Sequence, residues 1–82
     1  MQYVRSFVVN TFLFGEVDPE LTDDASLLEL GIVDSTGILE LVAFLESELG
    51  VRVSDGEMTA ENLDSIRRIS DYVARKQQSA QR

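Results

Sequence analysis

Asp34 and Ser35 are the neighbouring residues of this chain best placed to do chemistry. The apolar stretch Leu30–Val33 delivers them to the expected start of an amphipathic helix, where solvent reaches a hydroxyl. The free N–H groups of a first helical turn and the positive end of the helix dipole favour a phosphate there. Asp34 can offer an oxygen ligand to Mg²⁺ during a phosphoryl-type transfer. Taken alone the pattern is weak, because a Ser at a helix N-terminus is most often a cap. The competing chemistry is an acid–base site assembled from Asp23, Asp24, Glu29 and Asp34, and no spacing among them compels one. His and Cys are both absent. Their absence removes the commonest general base, thiolate metal ligands and the Ser-His and Cys-His nucleophile pairs. Neither an enzyme nor a metal site is expected.

The elements that must position this pair fit in one domain of 82 residues. With 44% hydrophobic residues there is enough apolar material for a small core, although a domain of this size buries a limited share of its surface. Fifteen acidic residues against seven basic ones leave a net charge of −8. Such a surface repels nucleic acid and anionic lipid and speeds encounter with basic partners. No apolar run approaches the roughly 20 residues that a membrane-spanning helix needs. Arg5, Ser6, Asn10 and Thr11 interrupt the apolar start, which argues against a signal peptide. A cytoplasmic monomer is the expectation.

Helical periodicity dominates the chain. A first helix is expected over Gln2–Phe14, with Val4, Phe7, Val8 and Phe12 on one face and Gly15 as its stop. Glu16–Val33 reads as a long connection whose Leu27, Leu28, Leu30 and Ile32 tuck against the helices, making it an ordered loop. The clearest helix is Ser35–Leu49, capped by Asp34 or Ser35 and stopped by Gly50. Its inner stripe is Ile38, Leu41, Val42, Leu45 and Leu49; Thr36, Leu39, Glu40, Ala43 and Ser47 face the other way, and Phe44 falls on the border. Thr59 can cap a single turn within Val51–Asn62. The last helix is expected to begin at an Asp64 cap and to run to about Lys76 on a stripe of Ile66, Ile69, Tyr72 and Val73. Arg67, Arg68, Arg75 and Lys76 are expected toward its later turns, where cations suit the dipole. Residues 1–77 form the expected domain and 78–82 a polar, fraying tail. The sum is an all-α bundle of three main helices and one short one, with a long ordered loop between the first two.

Residues 30–45, L-G-I-V-D-S-T-G-I-L-E-L-V-A-F-L, resemble the attachment motif of acyl and peptidyl carrier proteins, through Gly31, Asp34, Ser35, Glu40, Leu41, Val42 and the acidic stretch Glu46–Glu48. The loop ending D-D-A-S-L-L-E-L-G, the N-L-D-S-I segment and the final I-S-D-Y-V also sit where such carriers have counterparts. The resemblance covers nearly the whole chain. It implies an acyl-carrier-like four-helix bundle, inert until a phosphopantetheinyl transferase uses coenzyme A and Mg²⁺ to place a 4'-phosphopantetheine arm on Ser35. The arm's thiol would hold acyl or aminoacyl groups as thioesters for partner enzymes, and the protein itself would catalyse nothing. The implied partners are the transferase, a loading ligase and downstream biosynthetic enzymes with basic docking patches.

Two departures bear on the cargo. Thr36 stands where many fatty-acid and polyketide carriers have Leu, and Gly37 where fatty-acid carriers often have an acidic residue. The segment is more similar to free-standing D-alanyl, aminoacyl or specialised-metabolite carriers. Thr36, Leu39, Glu40, Ala43 and Glu46 are the expected docking face beside Ser35: a small apolar patch rimmed by acids. A fatty-acid-type carrier and a helical interaction module that is never modified are the alternatives.

Overall fold

The computed structural model describes residues 2–16 and 18–80, with side chains through Gln78. Helices α1 (Gln2–Phe12), α2 (Ser35–Leu49), α3 (Ala60–Leu63) and α4 (Ile66–Ala80) follow one another, with a 3-10 turn at Asp55–Glu57 before α3. The described residues contain no strand. Among the described residues the chain is all-helical, with three long helices and a short one, as the sequence predicts.

The core is built from all four α-helices. Val4 and Val8 of α1, Leu41, Val42 and Leu45 of α2, Leu63 of α3 and Ile66, Ile69, Tyr72 and Val73 of α4 are all buried. Each fully buried Leu or Ile contributes roughly 1.5–3 kcal/mol. Ile38 and Leu49, expected in the same stripe, are only half-buried and pack at its margin. The connection between α1 and α2 behaves as an ordered loop: Leu21, Leu27 and Val33 are buried and Leu30 and Ile32 half-buried. Leu28, expected to tuck in, is 44% exposed instead, because its neighbour Leu27 takes the inward position. Leu21, Val51 and Val53 join the core from loop segments in which no helical stripe marks them.

Helix α1 ends two residues earlier than Phe14. The Leu13 and Gly15 amides both donate to the Val9 carbonyl, and Phe14 takes a left-handed φ of 54° beside Gly15 at 85°. That backbone conformation costs a non-glycine residue roughly 1–2 kcal/mol. The border residue Phe44 turns toward α1. Its ring stacks on Phe7 with centroids 3.7 Å apart and on Tyr3 at 5.6 Å, while Phe7 meets Phe12 edge-on at 5.9 Å. This ladder fastens α1, whose Val and Thr residues are indifferent helix formers, along α2.

The start of α4 corrects two expectations. Ser65, not Asp64, caps it: the buried Ser65 hydroxyl accepts from the Arg68 amide at 3.0 Å. Asp64 closes α3 instead and turns its side chain to the long loop. Arg67 and Arg68 therefore lie in the first turn of α4, where the dipole disfavours cations. They are held by other partners: Arg67 pairs with Asp24 and Arg68 donates to the Ala60 carbonyl. Helix α4 also continues past Lys76 to Ala80; residues 81–82 of the expected tail lie outside the described residues.

Candidate functional site

The segment leading to Ser35 is folded by its own backbone. The Leu27 carbonyl accepts from the Ile32 and Val33 amides at 3.0 and 3.3 Å, and the Ser26 carbonyl from Leu30 at 3.0 Å. Gly31 supplies the left-handed residue this turn requires, with φ at 72°. Val33, 2% exposed, then anchors the chain in the core and releases Asp34 at the surface.

Asp34 has extended backbone angles, and its Oδ1 accepts from the Gly37 amide at 2.8 Å. Its carbonyl takes the first helical bond, from Ile38 at 2.9 Å. Asp34 is thus the N-cap of α2, and Ser35 is the first helical residue, exposed and without a capping duty. The amides of Ser35 and Thr36 have no partner within the helix by its geometry. A hydroxyl beside two such N–H groups suits a phosphodiester. Only one oxygen of Asp34 is engaged in the cap, which leaves the other for a cation. No cluster of three or more metal-ligating side chains occurs among the described residues.

Gly37 has a packing role that its sequence position conceals. A Cβ there would come within 3.0 Å of Phe12 Cε1 and 3.1 Å of Val33 Cγ1. The absence of a side chain lets the end of α1 and the approach to Ser35 both lie against the first turn of α2.

The expected docking residues Thr36, Leu39, Glu40, Ala43 and Glu46 are all exposed, and Leu39 is 60% exposed. The Glu46 carboxylate is not free of other work, since it accepts from the Val53 amide at 3.1 Å. The four carboxylates of the rival acid–base site do not converge. Asp23 pairs with Arg5 and Asp24 with Arg67, while Asp34 caps α2. The hydrogen bond from the Arg5 guanidinium holds the Asp23 carboxyl below its usual range.

A second polar centre, which sequence reasoning missed, lies around Glu57. Its Oε1 accepts from the Ser54 amide and hydroxyl, the Tyr72 hydroxyl and the Lys76 ammonium. The Lys76 bond, with help from Ser54, lowers the Glu57 carboxyl to about 2. Burial, with the Glu57 hydrogen bond next, pushes the Tyr72 phenol up to about 12. These contacts fasten the 3-10 turn to α4. Their only signal in the sequence was the Ser54-to-Glu57 spacing of a capping box.

Comparison with known proteins supplies the class. Residues 13–73 match the family model described as the phosphopantetheine attachment site. The chain is 32% identical over 53 residues to the D-alanyl carrier protein of Abiotrophia defectiva, covering 65% of this chain and 67% of that protein. It is 34% identical over 59 residues to the acyl carrier protein of Buchnera aphidicola subsp. Baizongia pistaciae (strain Bp), covering 72% and 73%. A chain in a crystal structure of an FAD-dependent dehydrogenase superposes with a TM-score of 0.74 at 28% identity, covering 85% of this chain and 97% of that one.

The chain therefore belongs to the phosphopantetheine-attachment family. It is a non-catalytic carrier protein: 4'-phosphopantetheine is its covalent cofactor, on which acyl groups are held as thioesters.

Proposed function

We propose that Ser35 is the residue that bears the arm and that the cargo is an aminoacyl or other small acyl group of specialised metabolism. The observation that carries the first part is the division of labour at the head of α2. Asp34 caps the helix and Ser35 stands exposed at its first position. A phosphopantetheinyl transferase would bring coenzyme A and Mg²⁺ to this point. The Ser35 oxygen would attack the phosphorus nearer the pantetheine, the diphosphate P–O bond would break, adenosine 3',5'-bisphosphate would leave, and the hydroxyl proton would pass to a base of the transferase or to water. The new phosphodiester lies at the positive end of α2, and the uncommitted Asp34 oxygen is available to the metal.

The cargo reading is supported by the D-alanyl carrier relative and by Thr36 and Gly37 at the start of α2. The complete burial of Leu41 and Leu45 also favours a thioester held outside the core. Thr36, Leu39, Glu40, Ala43 and Glu46 form the surface offered to partners, whose basic patches would complement the acidic rim. The matched dehydrogenase-structure chain is shorter than this one, as its two coverages require. Its length suits a carrier-like bundle better than a flavoenzyme. That likeness supports a flavin-dependent dehydrogenase as one downstream partner, taking a proton and a hydride from the held acyl group to reduce FAD to FADH₂. We place the protein in the cytoplasm, as a monomer, where coenzyme A is at hand.

Intact-mass measurement after incubation with coenzyme A, Mg²⁺ and a broad-specificity transferase tests the attachment. One added phosphopantetheine on the native chain and none on Ser35→Ala is the expected result; no addition with several transferases sinks it. Ligase assays on the modified protein test the cargo, and efficient loading of long fatty acids in preference to amino or small acids would overturn that half.

A further inference from the structure

The long loop that presents Ser35 hangs on one residue far along the chain. Asp64 closes α3, donating its amide to the Ala60 carbonyl at 3.1 Å. Its other polar groups all face three consecutive loop residues. Oδ2 accepts from the Ser26 hydroxyl at 2.5 Å, the backbone carbonyl from the Leu27 amide at 2.8 Å, and Oδ1 from the Leu28 amide at 3.0 Å.

From those three residues the constraint passes straight to the attachment site. Ser26 also accepts from the Glu29 amide through its hydroxyl and from Leu30 through its carbonyl. The Leu27 carbonyl holds Ile32 and Val33. Val33 lies against the first turn of α2, where its Cγ1 approaches Gly37, and Asp34 and Ser35 follow directly. Two further bonds, from the Arg67 amide to the Asp23 carbonyl at 2.8 Å and from the Arg67 guanidinium to Asp24 at 2.5 Å, tie the loop to the same junction without touching the 26–33 turn.

Resting on the reading of Ser35 as the attachment residue, we propose that Asp64 is a positioning residue: its clasp on Ser26, Leu27 and Leu28 sets the place of Ser35 for phosphopantetheine transfer. The physical ground is that group transfer needs the attacking oxygen held close to its reacting geometry, and displacement of about 1 Å can cost roughly a hundredfold in rate. Without the Asp64 carboxylate, the 26–33 turn keeps its internal bonds and the Leu27 amide's bond to the residue-64 carbonyl, but it loses both side-chain bonds that moor it at the α3–α4 junction. Ser35 then samples a wider range at the first step of α2. The change falls on the rate of transfer within the complex, because the docking face beyond Ser35 is untouched.

Two readouts test this on the full-length unmodified chain. Amide exchange followed by NMR should rise about tenfold at Leu28, Val33 and Gly37 in Asp64→Ala, with Asp64→Asn between it and the native chain, as expected for partial loss of a local constraint. In transferase assays Asp64→Ala should lose roughly tenfold in kcat with KM changed less than twofold, and Asp64→Asn should recover much of it. Glu57→Gln is the control. It weakens the bundle at the 3-10 turn, away from the 26–35 segment, and should leave both readouts at native values even where its melting temperature falls as far. Native exchange at Val33 and Gly37 in Asp64→Ala would overturn the proposal, as would a kcat loss matched by Glu57→Gln at equal loss of stability. If the native chain itself accepts no arm, the reading of Ser35 fails separately, and the exchange measurement still decides whether Asp64 holds the segment.

Discussion

Asp34 Oδ1 accepts the Gly37 amide at 2.8 Å, and that one bond relieves Ser35 of capping the helix that it begins. Two adjacent residues with interchangeable capping ability thus have separate tasks. The carboxylate closes the helix, and Ser35 stays exposed at its first position.

The first prediction separates the cap from the proposed metal contact at Asp34. Asp34→Ala should cost about 1 kcal/mol, the usual loss for a removed N-cap, and lower the melting temperature by roughly 4–8 °C in a domain of this size. Asp34→Asn keeps a capping oxygen and should melt within a few tenths of a kcal/mol of the native chain, since Asn caps as well as Asp. It removes the carboxylate charge that the proposal offers to Mg²⁺, so its transfer rate should fall and recover in part at raised Mg²⁺. Thermal melts beside transfer kinetics read both effects, and native transfer by Asp34→Asn would exclude the metal role.

At Gly37 two effects oppose each other. Ala is the better helix former by about 1 kcal/mol, but its Cβ would meet Phe12 at 3.0 Å and Val33 at 3.1 Å. Overpacking of this kind typically costs about 1–3 kcal/mol, so Gly37→Ala should destabilise the protein on balance. Phe12→Leu, combined with it, should recover part of the loss in a double-mutant cycle of denaturant melts. Additive single effects would show that Phe12 is not the obstacle.

The Glu57 cluster predicts how stability varies at both ends of the pH scale. The folded-state carboxyl is lowered from 4.5 to about 2, chiefly by Lys76, so its contribution is present above about 4.5 and is lost as pH falls toward 2. Tyr72 is raised from 10.0 to about 12, chiefly by burial. The unfolded chain loses that proton first, so stability declines as pH rises from about 10 to 12. Denaturant melts across pH should show a shallower acid limb in Glu57→Gln and a shallower alkaline limb in Tyr72→Phe. Limbs of native slope in both variants would remove the cluster from the account.

How much of this is legible in the chain depends on how local the signal is. Helix α2 begins at Ser35 and ends at Leu49 as its residues predict, because Asp34 and Gly50 settle both ends through contacts within a few residues. The buried stripe of α4 is equally plain, since Ile66, Ile69, Tyr72 and Val73 repeat at helical spacing. Asp64 is misread because its side chain bonds across 38 and 36 residues to Ser26 and Leu28, and the buried Ser65 hydroxyl takes the capping task. Phe44 lies where helical geometry alone is neutral, and its neighbours Tyr3 and Phe7 on α1 decide its side. The pair at the head of α2 is readable from sequence, whereas the loop mooring behind it exists only in three dimensions.

The most direct test of the central claim is to locate the arm. The chain has eight serines, at positions 6, 26, 35, 47, 54, 65, 70 and 79. Transferase-modified protein should be digested and its phosphopantetheinyl peptide fragmented by tandem mass spectrometry. The account predicts a single modified residue, Ser35; an arm on any other serine, or none at all, would contradict it.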